Sequence, residues 1–161
     1  MSENNLFGPE RTSQTIMLDD VRTLGFAEYG PTDGYPVFDL HGLPGSRYEG
    51  KLFGTAAIEH NARIITIDRP GVGLGSRQLG RTLLDHAKDV QVVAKHLDIQ
   101  KFSVMGVSGG GPYALACAYA LPPSQLRSIA VVAGCAMYNP NTYKDMVTAN
   151  KWMFWALKAA P

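Results

Sequence analysis

The residue best placed to do covalent chemistry is a serine held among glycines. Gly106-Val107-Ser108-Gly109-Gly110 satisfies the pattern G-x-S-x-G, at the point where one apolar run ends and another begins. Such a serine occupies a strained turn that lifts its hydroxyl clear of a sheet, and small neighbours let the flanking strand and helix come close enough to make the turn. At a helix N-terminus, free N–H groups and a partial positive charge favour a developing oxyanion, and the Gly109 N–H is the first expected donor. The chemistry implied is nucleophilic acyl transfer. Taken alone, the pentapeptide also fits a glycine-rich turn with an incidental serine. The segment His41-Gly42-Leu43-Pro44-Gly45-Ser46 tells the two apart. It follows another apolar run and is again rich in glycine, where backbone must approach something closely.

These loops need a scaffold, and the apolar pattern describes one. Val37 to Leu40, Arg63 to Ile67, Phe102 to Val107 and Arg127 to Ala133 are short and apolar with little alternation, as expected of central parallel strands covered on both faces. Thr15 to Leu18 and Arg22 to Tyr29 read as an opening hairpin turned through Asp19 and Asp20. From Thr82 to Leu97, the residues Leu83, Ala87, Val90, Ala94 and Leu97 share one helical face, and Thr82 with Asp85 has capping-box spacing. Gly109 to Leu121 is helical in pattern and apolar nearly all round, which predicts a buried helix ended by Pro122 and Pro123. Alternating strands and helices with right-handed crossovers give an α/β fold: a doubly wound, mostly parallel sheet with an N-terminal antiparallel hairpin. Sites in such sheets form beyond the carboxyl ends of the strands, where the glycine-rich loops fall.

Composition narrows the partners. With 161 residues, 45% hydrophobic and 18% charged, the chain has material for one core. A net charge of +1 supplies no basic field for nucleic acid or an anionic membrane. Cys117 and Cys135 lie in apolar runs and read as small core residues, so a reducing, cytoplasmic setting is expected. The polar N-terminal stretch resembles neither signal peptide nor membrane anchor. Gly71-Val72-Gly73-Leu74-Gly75 lacks dinucleotide-fingerprint spacing, and no metal-ligand spacing appears, so no cofactor and no metal are expected.

HGLPGS, DRPGVGLGS (Asp68 to Ser76) and GVSGGGPYALACA, in this order and at these separations, resemble the α/β-hydrolases of the broad serine-esterase, lipase and aminopeptidase group. The likeness covers roughly Gly25 to Ala136. It implies that Ser108 is the nucleophile, that Leu43 and Gly109 supply oxyanion N–H groups, and that His41, Gly42, Gly106 and Gly110 build the supporting loops. It also implies a small-molecule ester or amide substrate. Serine rather than aspartate at the turn argues against the dehalogenase and epoxide-hydrolase branches. Asp68, Arg69 and Ser76 are assigned to loop architecture.

A serine hydroxyl needs a hydrogen-bonded base that a carboxylate orients, and this fold supplies them in the order serine, acid, histidine. After Ser108 the chain has no histidine, and Asp145 is its only acidic residue. His60, His86 and His96 read as structural. His41 has two readings, base or loop anchor, of which loop anchor is the better. The chain is therefore expected to be a truncated N-terminal portion with little or no activity: a flexible tail over 1–12, hydrolase core over 13–138, and the start of a cap helix over 139–161. The alternative is a non-catalytic binding module. It would associate with a partner or membrane surface through the apolar Trp152 to Leu157 segment, which is too short to span a bilayer.

Overall fold

A computed structural model describes residues 8–135, 144, 146–148 and 151–152. Most of the cap segment, and of the Trp152 to Leu157 stretch, lies outside the described residues. Within the segment read as a tail, Pro9–Thr12 forms one helical turn (α1), and Arg11 Nη1 donates to Gly30 O at 2.8 Å.

Six strands follow: β1 (Gln14–Met17), β2 (Thr23–Tyr29), β3 (Tyr35–Leu40), β4 (Ala62–Ile67), β5 (Phe102–Val107) and β6 (Leu126–Val132). Their order in the sheet is β1-β2-β4-β3-β5-β6. β1 and β2 form the expected hairpin, and β2 is antiparallel to β4; β4, β3, β5 and β6 run parallel. The hairpin turn closes through Leu18 N–H on Arg22 O at 2.8 Å, with Asp20 Oδ1 accepting the Arg22 N–H at 3.2 Å.

Alternation along the central strands feeds two cores. Phe38, Leu40, Ile65, Ile67, Phe102 and Val104 face helices α3 (Leu83–His96) and α4 (Gly111–Ala120), while Tyr29, Ile64 and Val37 face the 3-10 helix Arg47–Phe53 and α2 (Gly54–Glu59). Helices thus cover both faces of the sheet. Phe38 and Phe102 meet edge to face at 4.8 Å on neighbouring strands, and burying each ring contributes about 1.5–3 kcal/mol. α3 begins as its spacing requires: the Asp85 carboxylate accepts the Thr82 N–H at 2.8 Å.

Two expectations fail in part. β6 was expected to be covered on both faces, yet among the described residues only β5 pairs with it and Val131 and Val132 stay exposed. α4 was expected to be wholly buried, yet Ala114 and Cys117 face the core while Leu115 and Tyr119 are exposed. The physical reason is the same in both: an apolar pattern reports which surfaces are fit for burial, not which neighbour covers them. The elements that position the serine are unaffected.

Candidate active site

β5 ends at Val107, and Ser108 takes the left-handed conformation, with φ of 48°. This is unfavourable for a residue with a β-carbon and is held only by its surroundings. The surroundings are glycines for a steric reason. A β-carbon on Gly106 would lie 2.4 Å from Gly110 O, and one on Gly110 would lie 1.8 Å from Leu40 O. The Ser108 carbonyl is fixed in turn by the Gly111 N–H and by the Cys135 N–H at 2.8 Å. The turn is therefore locked on both sides, at the start of the 3-10 turn Ser108–Gly110 that leads into α4.

The loop after β3 comes to the same place because the strands pair in register, Leu40 opposite Gly106. A β-carbon on Gly42 would sit 3.4 Å from Ser108 Cβ, and one on Gly109 would sit 3.4 Å from Leu43 N. Leu43 N–H has no backbone or side-chain acceptor among the described residues. Leu43 N and the Gly109 backbone thus come together beside Ser108.

His41 is 1% exposed, and both of its ring nitrogens are engaged. Nε2 lies 3.3 Å from the Arg69 backbone N–H, and Nδ1 lies 2.9 Å from Gly42 O and 3.0 Å from Arg69 Nη2, which can only donate. Burial, and after it the Arg69 charge, pushes the imidazole down to about 4, so the ring is neutral at pH 7. Neither nitrogen is bonded to Ser108. His86 is buried edge-on to Tyr113 at 5.0 Å and is pushed down to about 3 by burial and the nearby arginines. His60 and His96 are exposed at the ends of α2 and α3. Asp145, the one acid after Ser108, lies outside the described residues.

The third loop holds the first two. Asp68 accepts from Arg47 N at 2.7 Å, Arg47 Nη1 at 2.9 Å and Leu74 N at 2.9 Å. Ser76 Oγ accepts the Thr23 N–H at 2.9 Å, which ties the loop to β2. Arg69 hydrogen-bonds the His41 and Gly42 carbonyls of the first loop. Glu49 was not singled out in the sequence, yet its Oε1 accepts the Gly42 N–H at 2.8 Å. A carboxylate seven residues after Gly42 was the available signal, but without the 3-10 helix that turns it back it reads as surface.

Cys117 is buried in the core, its thiol pushed up to about 12 by burial, and Cys135 is half-buried. Among the described residues, no cluster of three or more His, Cys, Asp or Glu is arranged to hold a metal ion, and no helix is long and apolar enough to cross a membrane.

Residues 35–160 match the family model of the alpha/beta hydrolase fold, and the chain belongs to that family. It is 36% identical over 105 residues to the uncharacterized hydrolase YcgS of Bacillus subtilis, covering 64% of this chain and 35% of that protein. It is 32% identical over 125 residues to a proline iminopeptidase of Xanthomonas citri, covering 74% of this chain and 38% of that protein. Among solved structures, the esterase EaEST from Exiguobacterium antarcticum superposes with a TM-score of 0.71 at 22% identity, over 86% of this chain and 52% of that one. The chain thus spans little more than a third of these curated relatives and about half of the esterase.

Proposed function

We propose that this protein hydrolyses ester, amide or related acyl bonds of small molecules, with Ser108 as nucleophile and the Leu43 and Gly109 N–H groups receiving the carbonyl oxygen. The reaction runs through an acyl-enzyme: Ser108 Oγ attacks the carbonyl carbon, the hydroxyl proton passes to a base, the alcohol or amine leaves, and water releases the acid. The observation that carries this reading is the left-handed turn at Ser108 beside the unengaged Leu43 N–H. Names of relatives, a proline iminopeptidase and an esterase among them, support acyl-bond substrates without choosing between them.

The base is none of the four histidines of this chain. His41 has its nitrogens against Gly42 O and Arg69, His86 is buried against Tyr113, and the other two sit at helix ends. The isolated 161 residues are accordingly weak catalysts. In serine proteases, losing the base costs about a millionfold in kcat, while oxyanion stabilisation and binding leave roughly a thousandfold over water. Hydrolysis of a nitrophenyl ester, measured beside Ser108→Ala, tests both statements. A slow rate that disappears in Ser108→Ala agrees with them. Equal rates in both proteins would remove Ser108 from the chemistry, and a fast Ser108-dependent rate would make His41 the base.

A further inference from the structure

We infer that Arg69 is a positioning residue for the oxyanion site, acting through the Gly42–Leu43 peptide group; the inference rests on the acyl-transfer reading above. Arg69 is 3% exposed, and no carboxylate pairs with it among the described residues, whereas the neighbouring Arg47 has Asp68. A guanidinium keeps its charge in proteins, so a buried one must be met by other acceptors. Here the acceptors are two successive carbonyls: Nη1 donates to His41 O at 2.9 Å and Nη2 donates to Gly42 O. The Tyr113 ring covers the guanidinium at 5.2 Å.

Peptide planarity converts these bonds into control of the donor. In a trans peptide the N–H points opposite to the C=O, so fixing Gly42 O fixes the direction of the Leu43 N–H. Gly42 O is held by Arg69 Nη2 and by the Gly45 N–H at 3.0 Å, with His41 Nδ1 2.9 Å away. The preceding peptide is pinned at both ends, its oxygen by Arg69 and its N–H by Glu49 Oε1 at 2.8 Å. In this double clamp the Leu43 N–H is the group left without a partner.

Charge adds to geometry. A cation bonded to a carbonyl oxygen polarises the amide and strengthens its N–H as a donor. The Glu49 carboxylate at the other end of the preceding peptide offsets part of the field of Arg69, so the effect of Arg69 on the site is carried by its hydrogen bonds to the two carbonyls. Lysine cannot reproduce the effect, because one ammonium lacks the planar fork that reaches both carbonyls.

The test compares Arg69→Lys and Arg69→Met in the protein, reading kcat and KM on a nitrophenyl ester together with the Gly42 13C′ and Leu43 amide NMR resonances. A complete oxyanion donor is worth about 10²–10³ in kcat, so a mispositioned one should cost about tenfold to a hundredfold, with KM changed less than about twofold. Both variants should show the loss, and both resonances should move in each. Wild-type kcat in folded Arg69→Met, a loss confined to KM, or stationary resonances would overturn the proposal. So would failure of both variants to fold, which would assign Arg69 to stability alone. If the wild-type protein shows no Ser108-dependent turnover, the acyl-transfer reading fails by itself. The two resonances then decide: a shift in Arg69→Lys upholds the coupling, and constancy refutes it.

Discussion

Leu40 and Gly106 are register partners on parallel strands, and this pairing brings two distant loops to one serine. The chain leaves β3 and β5 at the same height, so Leu43 N arrives 3.4 Å from the β-carbon position of Gly109. The site is thus a product of sheet register before it is a product of side chains.

The tightest point of that register is Gly110. Replacing a glycine in a helical region by alanine ordinarily gains about 0.5–1 kcal/mol from reduced backbone freedom. At Gly110 the new methyl would sit 1.8 Å from Leu40 O, so the sign reverses. Gly110→Ala should lose about 1–3 kcal/mol, as overpacked sites do. Chemical denaturation reads this directly, and a variant as stable as wild type would show that the turn can relax without cost.

Asp68 and Arg47 form an ion pair at 2.9 Å, with side chains 0% and 6% exposed, and Asp68 also caps the Leu74 N–H. Removing one partner of a buried pair leaves the other charge uncompensated, at about 3–5 kcal/mol. Asp68→Asn should therefore destabilise the fold by roughly that much. A change below about 0.5 kcal/mol, the scale of a surface substitution, would contradict the burial described for this pair.

Three buried groups give stability an opposed pH dependence. Asp39 is 0% exposed, and burial pushes its carboxyl up to about 7 against the opposing Thr66 Oγ1 hydrogen bond at 3.0 Å. Its folded value lies above the unfolded value of about 3.9, so the folded state holds the extra proton between the two, and stability is lost as pH rises through about 7. His41 and His86 are displaced downward, to about 4 and about 3, from about 6.5, so stability is lost as pH falls below about 6.5. Asp39→Asn should abolish the first limb alone. Relative to wild type, the variant should gain stability as pH is raised from about 5 to about 8, by at most about 1.4 kcal/mol per pH unit, and should keep its acid sensitivity. Parallel wild-type and variant curves would assign Asp39 an ordinary carboxylate.

Much of this was legible in the sequence, for identifiable reasons. The left-handed Ser108 follows from glycines placed where strand and helix must nearly touch, a constraint local enough for a five-residue pattern to express. The α3 cap is local in the same way, with Thr82 and Asp85 meeting within one turn. Arg69 and Glu49 were not legible, because their roles depend on partners brought close only by the sheet and the 3-10 helix. Spacing puts Arg69 in a glycine-rich loop but cannot say that its guanidinium meets the His41 and Gly42 carbonyls. The exposure of β6 and of Leu115 on α4 was illegible for a different reason, since apolar composition does not name the covering partner.

Covalent capture of Ser108 tests the central claim most directly. The protein is incubated with excess of a nitrophenyl alkylphosphonate, whose phosphorus takes the serine oxygen and expels nitrophenolate, and the modified peptide is located by mass spectrometry. The account predicts a single phosphonyl group on Ser108, formed slowly because no histidine of this chain activates the hydroxyl, and no label on that peptide in Ser108→Ala. Modification elsewhere with Ser108 left free, or no adduct after prolonged exposure of the folded protein, would contradict it.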